Sequence, residues 1–161
     1  MKYNRLMKIV ASALACALLA VGTAACSGGN SGKQPDPEQL AADIQASGTY
    51  SDMVAVEADR LDDFYDLDAE SIETFSLYIC GSGGFPDEVA IFKMKDDSGA
   101  AAAKTAVEAR VETLKGEFEN YRPEQMPKLD NSEVLTQGRY VALIIGSDAA
   151  AGAQVFKNSF K

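Results

Sequence analysis

Histidine and tryptophan are absent from the 161-residue sequence, and cysteine occurs only three times. Without histidine the chain lacks the imidazole on which much acid–base catalysis and most catalytic zinc sites depend. Bases are also scarce, since 15 Lys and Arg stand against 24 Asp and Glu, for a net charge of −9. Because nucleic-acid binding requires dense positive charge, we expect no nucleic-acid partner. We also expect no cofactor and no catalytic centre.

The remaining composition is that of a folded domain. Apolar residues make up 47% of the chain and charged residues 24%, which is ordinary for a globular protein. A chain of this length has one domain by default. We predict a single α+β domain over residues 37–161.

The first 25 residues have the three parts of a secretory signal peptide. The bases Lys2, Arg5 and Lys8 precede an apolar run from Ile9 to Val21, and small residues follow. A helix of this run would be about 20 Å long, shorter than the ~30 Å hydrocarbon core of a membrane. We therefore predict that residues 1–25 are a signal peptide and not a permanent transmembrane helix.

The segment Thr23-Ala24-Ala25-Cys26 resembles the lipobox of bacterial lipoproteins, although Thr23 stands where leucine is usual. This resemblance implies that diacylglycerol is attached to Cys26, which then anchors the mature protein on the extracytoplasmic face of the cell membrane. The alternative is cleavage after Ala25 without lipid, because small residues at positions 23 and 25 also permit it.

Residues 26–36 are rich in glycine and serine and contain no large apolar side chain, so we predict a lipidated flexible tether. About ten such residues reach roughly 17 Å, which would hold the domain close to the membrane. Loss of the signal would leave 12 bases and 24 acids, a net charge of −12. Cys80 would then be the one free thiol, and its apolar surroundings predict a small buried side chain.

From residue 74 onward, apolar periodicity predicts two successive units, each made of two strands followed by a helix. The sequence Gly81-Ser82-Gly83-Gly84 predicts a wide hairpin loop within the first unit. The fold class is α+β: an antiparallel sheet of four to five strands with helices packed on it, preceded by short N-terminal helices. The predicted strands are 53–56, 74–80, 88–95, 133–136 and 139–145, and the predicted shorter helices are 37–46, 58–65 and 148–160. A long helix is predicted to be capped by Asp96, Asp97 or Ser98 and to end at Pro123.

The long helix carries an apolar stripe that ends at Tyr121, which Arg122 and Pro123 follow. We expect Tyr121 to pack on this stripe and Arg122 to be solvated. The alternative is that this aromatic ring and guanidinium dock a partner or an acidic ligand.

Residues 52–73 are the most acidic part of the chain, with nine carboxylates and one base. The spacing in Asp66-Leu67-Asp68-Ala69-Glu70 matches the start of a calcium loop, but Ser71 and Leu77 stand where glycine and glutamate are needed. We therefore expect a solvated acidic face in which Asp68 caps a turn. A carboxylate-dependent calcium binder or small hydrolase that uses this segment is the alternative function.

Four stretches resemble a family of short lipoproteins from Gram-positive Firmicutes that is known only as a domain of unknown function. The similarity extends over about residues 50–160 and implies a cell-surface lipoprotein without an assigned activity. No catalytic or ligand residue carries over from it. The stretches are Phe64-Tyr65-Asp66-Leu67-Asp68, residues 87–96, Asn120-Tyr121-Arg122-Pro123-Glu124-Gln125 and Gly138-Arg139-Tyr140-Val141-Ala142-Leu143.

Together these patterns favour a non-catalytic interaction or binding module of the cell envelope. Its expected attachment is the lipid on Cys26, and its candidate partner is another envelope protein.

Overall fold

The computed structural model of the protein describes residues 32–161. The predicted signal peptide, Cys26 and most of the predicted tether lie outside these residues. None of the helices within them has the length and apolar character needed to cross a membrane.

The domain is α+β, as predicted, with a five-stranded sheet in which every neighbouring pair is antiparallel. The strands lie in the order β1-β2-β3-β5-β4, so β3 is central and β1 and β4 form the edges. The strands are β1 (Met53–Ala55), β2 (Ile72–Cys80), β3 (Glu88–Met94), β4 (Glu133–Gln137) and β5 (Tyr140–Ile145), and the helices are α1 (Pro37–Ala46), α2 (Asp97–Tyr121), α3 (Met126–Asp130) and α4 (Ala149–Asn158).

The strand register defines two ends of the sheet. At one end Glu88 of β3 lies opposite Ile145 of β5, and at the other Lys93 lies opposite Tyr140. We call these the Glu88 end and the Tyr140 end. Residues 81–87 join β2 to β3 at the Glu88 end, which confirms the predicted wide hairpin loop.

Both faces of the sheet are covered, because successive side chains of a strand point to opposite faces and both sets are apolar here. Phe92 and Leu143 belong to the core cluster under α2. Val89, Ile91 and Ile144 belong to a second cluster under α1 and α4. All six residues of β5 are buried, so the expectation that this strand is covered on both faces is confirmed.

Helices α1, α2 and α4 each begin at an aspartate that accepts a hydrogen bond from the first helical turn. The donors to Asp36, Asp96 and Asp148 are the backbone N–H groups of residues 39, 99 and 151. Although the strand-strand-helix order occurs twice, α2 and α4 lie on opposite faces of the sheet.

Two local features differ from the sequence prediction. The segment predicted as a helix over 58–65 is a 3₁₀ helix at Ala58–Asp63, which brings Leu61 into the core. A further 3₁₀ helix at Pro123–Gln125 and the short helix α3 lie where only a loop was predicted, and a third 3₁₀ helix at Ala69–Ser71 forms the turn that Asp68 caps. The 3₁₀ helix at Pro123–Gln125 and α3 both have a proline in their first turn, where its missing N–H costs no hydrogen bond within the helix.

Candidate functional site

A pocket of about 150 Å³ opens to solvent at the Glu88 end of the sheet. The β2–β3 loop and the carboxyl-terminal half of α2 form most of its wall. Apolar side chains predominate in the lining, among them Phe64, Ile79, Phe85, Leu114 and Phe118. The sheet contributes a buried carboxyl group to this lining, and buried ionisable groups are a common mark of functional sites.

That group is Glu88, the first residue of β3, which is only 1% exposed. Its Oε1 accepts a hydrogen bond from the hydroxyl of Tyr65. Its Oε2 accepts from Arg110 of α2, with Nε at 3.1 Å and Nη2 at 3.0 Å. A buried carboxyl group is tolerable only with such partners, since its desolvation is otherwise costly. The three side chains therefore tie β3, α2 and the segment before β2 together.

Burial also changes the ionisation of this cluster. It raises the pKa of the Glu88 carboxyl above its ordinary value, and the positive charge of Arg110 offsets only part of the effect. Burial and the neighbouring Glu88 together raise the pKa of the Tyr65 hydroxyl well above 10. Both oxygens of Glu88 are already engaged by protein groups. The carboxyl group consequently fixes the pocket wall and leaves little capacity for acid–base chemistry on a ligand.

Phe85 of the β2–β3 loop is in contact with two cations. The guanidinium of Arg122 lies 4.7 Å from its ring centroid and the Lys128 ammonium lies at 5.0 Å. Lys128 also forms an ion pair of 2.6 Å with the buried carboxylate of Asp87, whose other oxygen accepts from the Ser51 N–H. These contacts fix the loop that forms one side of the pocket.

The expectations for Tyr121 and Arg122 were wrong. Tyr121 is 67% exposed, and its ring lies edge-on to Phe118 of the stripe at 6.1 Å between ring centroids. Arg122 is not free in solvent, since it packs on Phe85 and donates to the backbone oxygen of Gly84 at 2.6 Å.

The acidic segment 52–73 lies apart from the pocket, except for Phe64, and all nine of its carboxylates are exposed. Asp68 accepts from the Glu70 N–H, which confirms the predicted cap. Glu73 forms ion pairs with Lys93 and Arg139. Within residues 32–161 no group of three or more His, Cys, Asp or Glu side chains is arranged to hold a metal ion.

Cys80 has the buried position that the sequence predicted, with 5% exposure. Its sulfur lies 3.2 Å from the Ser82 hydroxyl oxygen and lines the pocket. Cys26, the predicted lipidation site, lies outside the described residues.

Sequence reasoning missed the buried cluster, although a signal was present. Arg110 stands three residues after Val107 and four before Leu114, which places it on the apolar stripe of α2. Glu88 occupies the same strand face as Phe92. A charge at an inward-facing position on each of two neighbouring elements indicates a buried ion pair.

The chain belongs to the family described as Domain of unknown function (DUF4358), whose sequence model matches residues 46–146. This match contains all five strands, α2, α3 and the pocket. It confirms the resemblance to a family without a known function. Neither a curated protein nor a solved structure shows significant similarity to the chain.

The raised pKa of Glu88 makes stability depend on pH. The native state binds a proton at Glu88 more tightly than the unfolded chain does, so the stability that this protonation adds is complete below the ordinary pKa of 4.5 and is lost as pH rises through the raised native value. We expect the free energy of unfolding of the wild type, measured against that of Glu88→Gln by urea denaturation, to fall from acid toward neutral pH. Glu119→Gln, an exposed change on α2, should follow the wild type. The prediction would be contradicted if the stability of the wild type relative to Glu88→Gln increased as the pH rises.

The exposed carboxylates of segment 52–73 should not bind calcium specifically, because they are dispersed and several are already engaged. We expect calorimetric titration with millimolar Ca²⁺ to give no saturable heat and no rise in melting temperature. Saturable heat that Asp66→Asn and Asp68→Asn abolish together would restore the calcium hypothesis.

Proposed function

We propose that the protein is an extracytoplasmic lipoprotein, anchored through Cys26, that acts as a non-catalytic binding module of the cell envelope. The observation that carries this proposal is the position of the pocket relative to the start of the folded domain. The pocket lies at the Glu88 end of the sheet, whereas the chain from Cys26 joins the domain at the Tyr140 end.

Contacts at the Tyr140 end support this arrangement. The Tyr140 hydroxyl donates to the backbone oxygen of Pro35 at 2.9 Å, just before α1 begins. The ring of Phe160, after α4, packs edge-on against Tyr140 at 5.0 Å. Five residues of β3 separate Lys93 from Glu88, about 17 Å at 3.4 Å per residue. A lipid anchor before Pro35 would therefore be joined to the end of the domain opposite the pocket.

A binding role fits the chemistry of the pocket better than a catalytic one. The chain contains no histidine, and the buried carboxyl of Glu88 is held by Tyr65 and Arg110. The exposed ring of Tyr121 lies beside the pocket residue Phe118. Exposed aromatic rings next to apolar pockets are common at protein interfaces.

The anchor can be tested by replacing Cys26 with serine. We expect Cys26→Ser to lose incorporation of a labelled fatty acid and to appear in the medium, because serine cannot form the thioether. Cys16→Ser is the matched control, since Cys16 lies within the predicted signal, and it should leave both readouts unchanged. Continued membrane retention of Cys26→Ser would refute the lipid anchor.

The binding role can be tested by photo-crosslinking on intact cells. We expect a photoreactive amino acid at Tyr121 to give a discrete crosslinked product, because this residue is exposed beside the pocket. The same amino acid at Lys157, exposed on α4 near the Tyr140 end, is the control and should give none. Equal crosslinking from both positions, or none from either, would contradict the assignment of the binding surface.

A further inference from the structure

The pocket has the size and lining of a receptor for one aromatic ring. Its volume is about 150 Å³, and an apolar cavity of roughly this volume holds one benzene molecule. Cofactors and nucleotides need larger sites of about 300–1,000 Å³. Phe64, Phe85 and Phe118 belong to the lining, and aromatic side chains make favourable edge-to-face contacts with a further ring.

The pocket walls are held in place without a ligand. Arg110 lies 5.3 Å from the ring centroid of Phe64 while its guanidinium is bonded to Glu88. On the other side Arg122 and Lys128 hold Phe85. A preformed pocket binds more tightly because fewer side chains have to be ordered on binding.

The charge around the pocket favours a basic ligand. Glu117 lines the pocket and is exposed, and it forms no ion pair within the part of the chain that the structure describes. Each cation that contacts a pocket ring or Glu88 in the described residues is paired with an acid; these cations are Arg60, Arg110, Arg122 and Lys128. Residues 32–161 as a whole hold 24 acids and 12 bases. A segment with positive charge would thus be attracted and an acidic one repelled.

We propose that the pocket binds an aromatic side chain of a partner protein and that basic residues flank this side chain in the partner. The inference rests on the binding role proposed above and names its chemistry. An aromatic anchor in a preformed pocket is the usual centre of a protein interface, and the exposed ring of Tyr121 extends the contact surface beyond it. Glu117 supplies the attraction for the flanking bases.

The test uses the full-length protein and three acetylated, amidated pentapeptides. Lys-Lys-Phe-Lys-Lys carries both proposed features, Lys-Lys-Ala-Lys-Lys lacks the ring, and Glu-Glu-Phe-Glu-Glu reverses the charge. We expect the first to bind at least tenfold more tightly than either of the others in calorimetry at low salt. The free probe p-cresol should compete with it and should slow alkylation of Cys80 by iodoacetamide, because Cys80 lines the pocket.

Two matched variants separate the ring from the charge. Glu117→Gln should weaken binding of Lys-Lys-Phe-Lys-Lys by about fivefold, the effect of one partly exposed ion pair, and leave p-cresol unaffected. Glu119→Gln, two residues further along α2 and outside the pocket lining, should change neither. Leu114→Phe should fill the pocket and abolish binding of both probes. A circular dichroism spectrum like that of the wild type would show that Leu114→Phe folds. The Glu117→Gln measurement does not depend on the folding of Leu114→Phe.

Equal binding of the Phe and Ala peptides, or failure of p-cresol to protect Cys80, would overturn the aromatic site. Tighter binding of the acidic peptide would overturn the proposed charge. Binding of p-cresol without any peptide would indicate a small free aromatic ligand instead of a protein. Crosslinking from Tyr121 that persists alongside a negative peptide result would leave the binding role intact and remove only this inference.

Discussion

Burial of the sheet on both faces is the constraint from which the other features follow. Strands β3 and β5 carry apolar side chains in both directions, so neither face can be left to solvent. Helix α2 covers one face, and α1 and α4 together cover the other. The β2–β3 loop and the carboxyl-terminal half of α2 meet at the Glu88 end and form the pocket there.

The buried carboxyl of Glu88 shows how that end is organised. A charge at the beginning of a central strand requires partners from whatever packs over it, and Arg110 and Tyr65 come from two segments far apart in the chain. Once they are engaged, α2 can neither slide nor rotate on the sheet without breaking the ion pair. The pocket walls are therefore also held in place, because Glu88 and Arg110 belong to the lining. Specific geometry at the site thus depends on polar contacts, although its lining is mostly apolar.

Most of the fold was predictable from the sequence because its signals are local. Aspartates mark the starts of three helices, and β5 is recognisable as an interior strand from its unbroken apolar run. The site was not predictable, because it depends on contacts between distant residues. Tyr121 is exposed although it continues the apolar stripe of α2, and the pairing of Arg122 with Phe85 joins residues 37 positions apart. The apolar periodicity of a single helix predicts neither the exposure of Tyr121 nor the contact of Arg122.

Helices α1 and α4, which cover one face of the sheet, lie almost entirely outside the region that the family model matches. The matched region, residues 46–146, begins at the last residue of α1 and ends before α4 begins. A fragment cut at these boundaries would keep the pocket but expose Val89, Ile91 and Ile144 as one contiguous apolar surface. Such a surface promotes aggregation. The region that the family model matches is therefore smaller than the folded domain, which also includes α1 and α4.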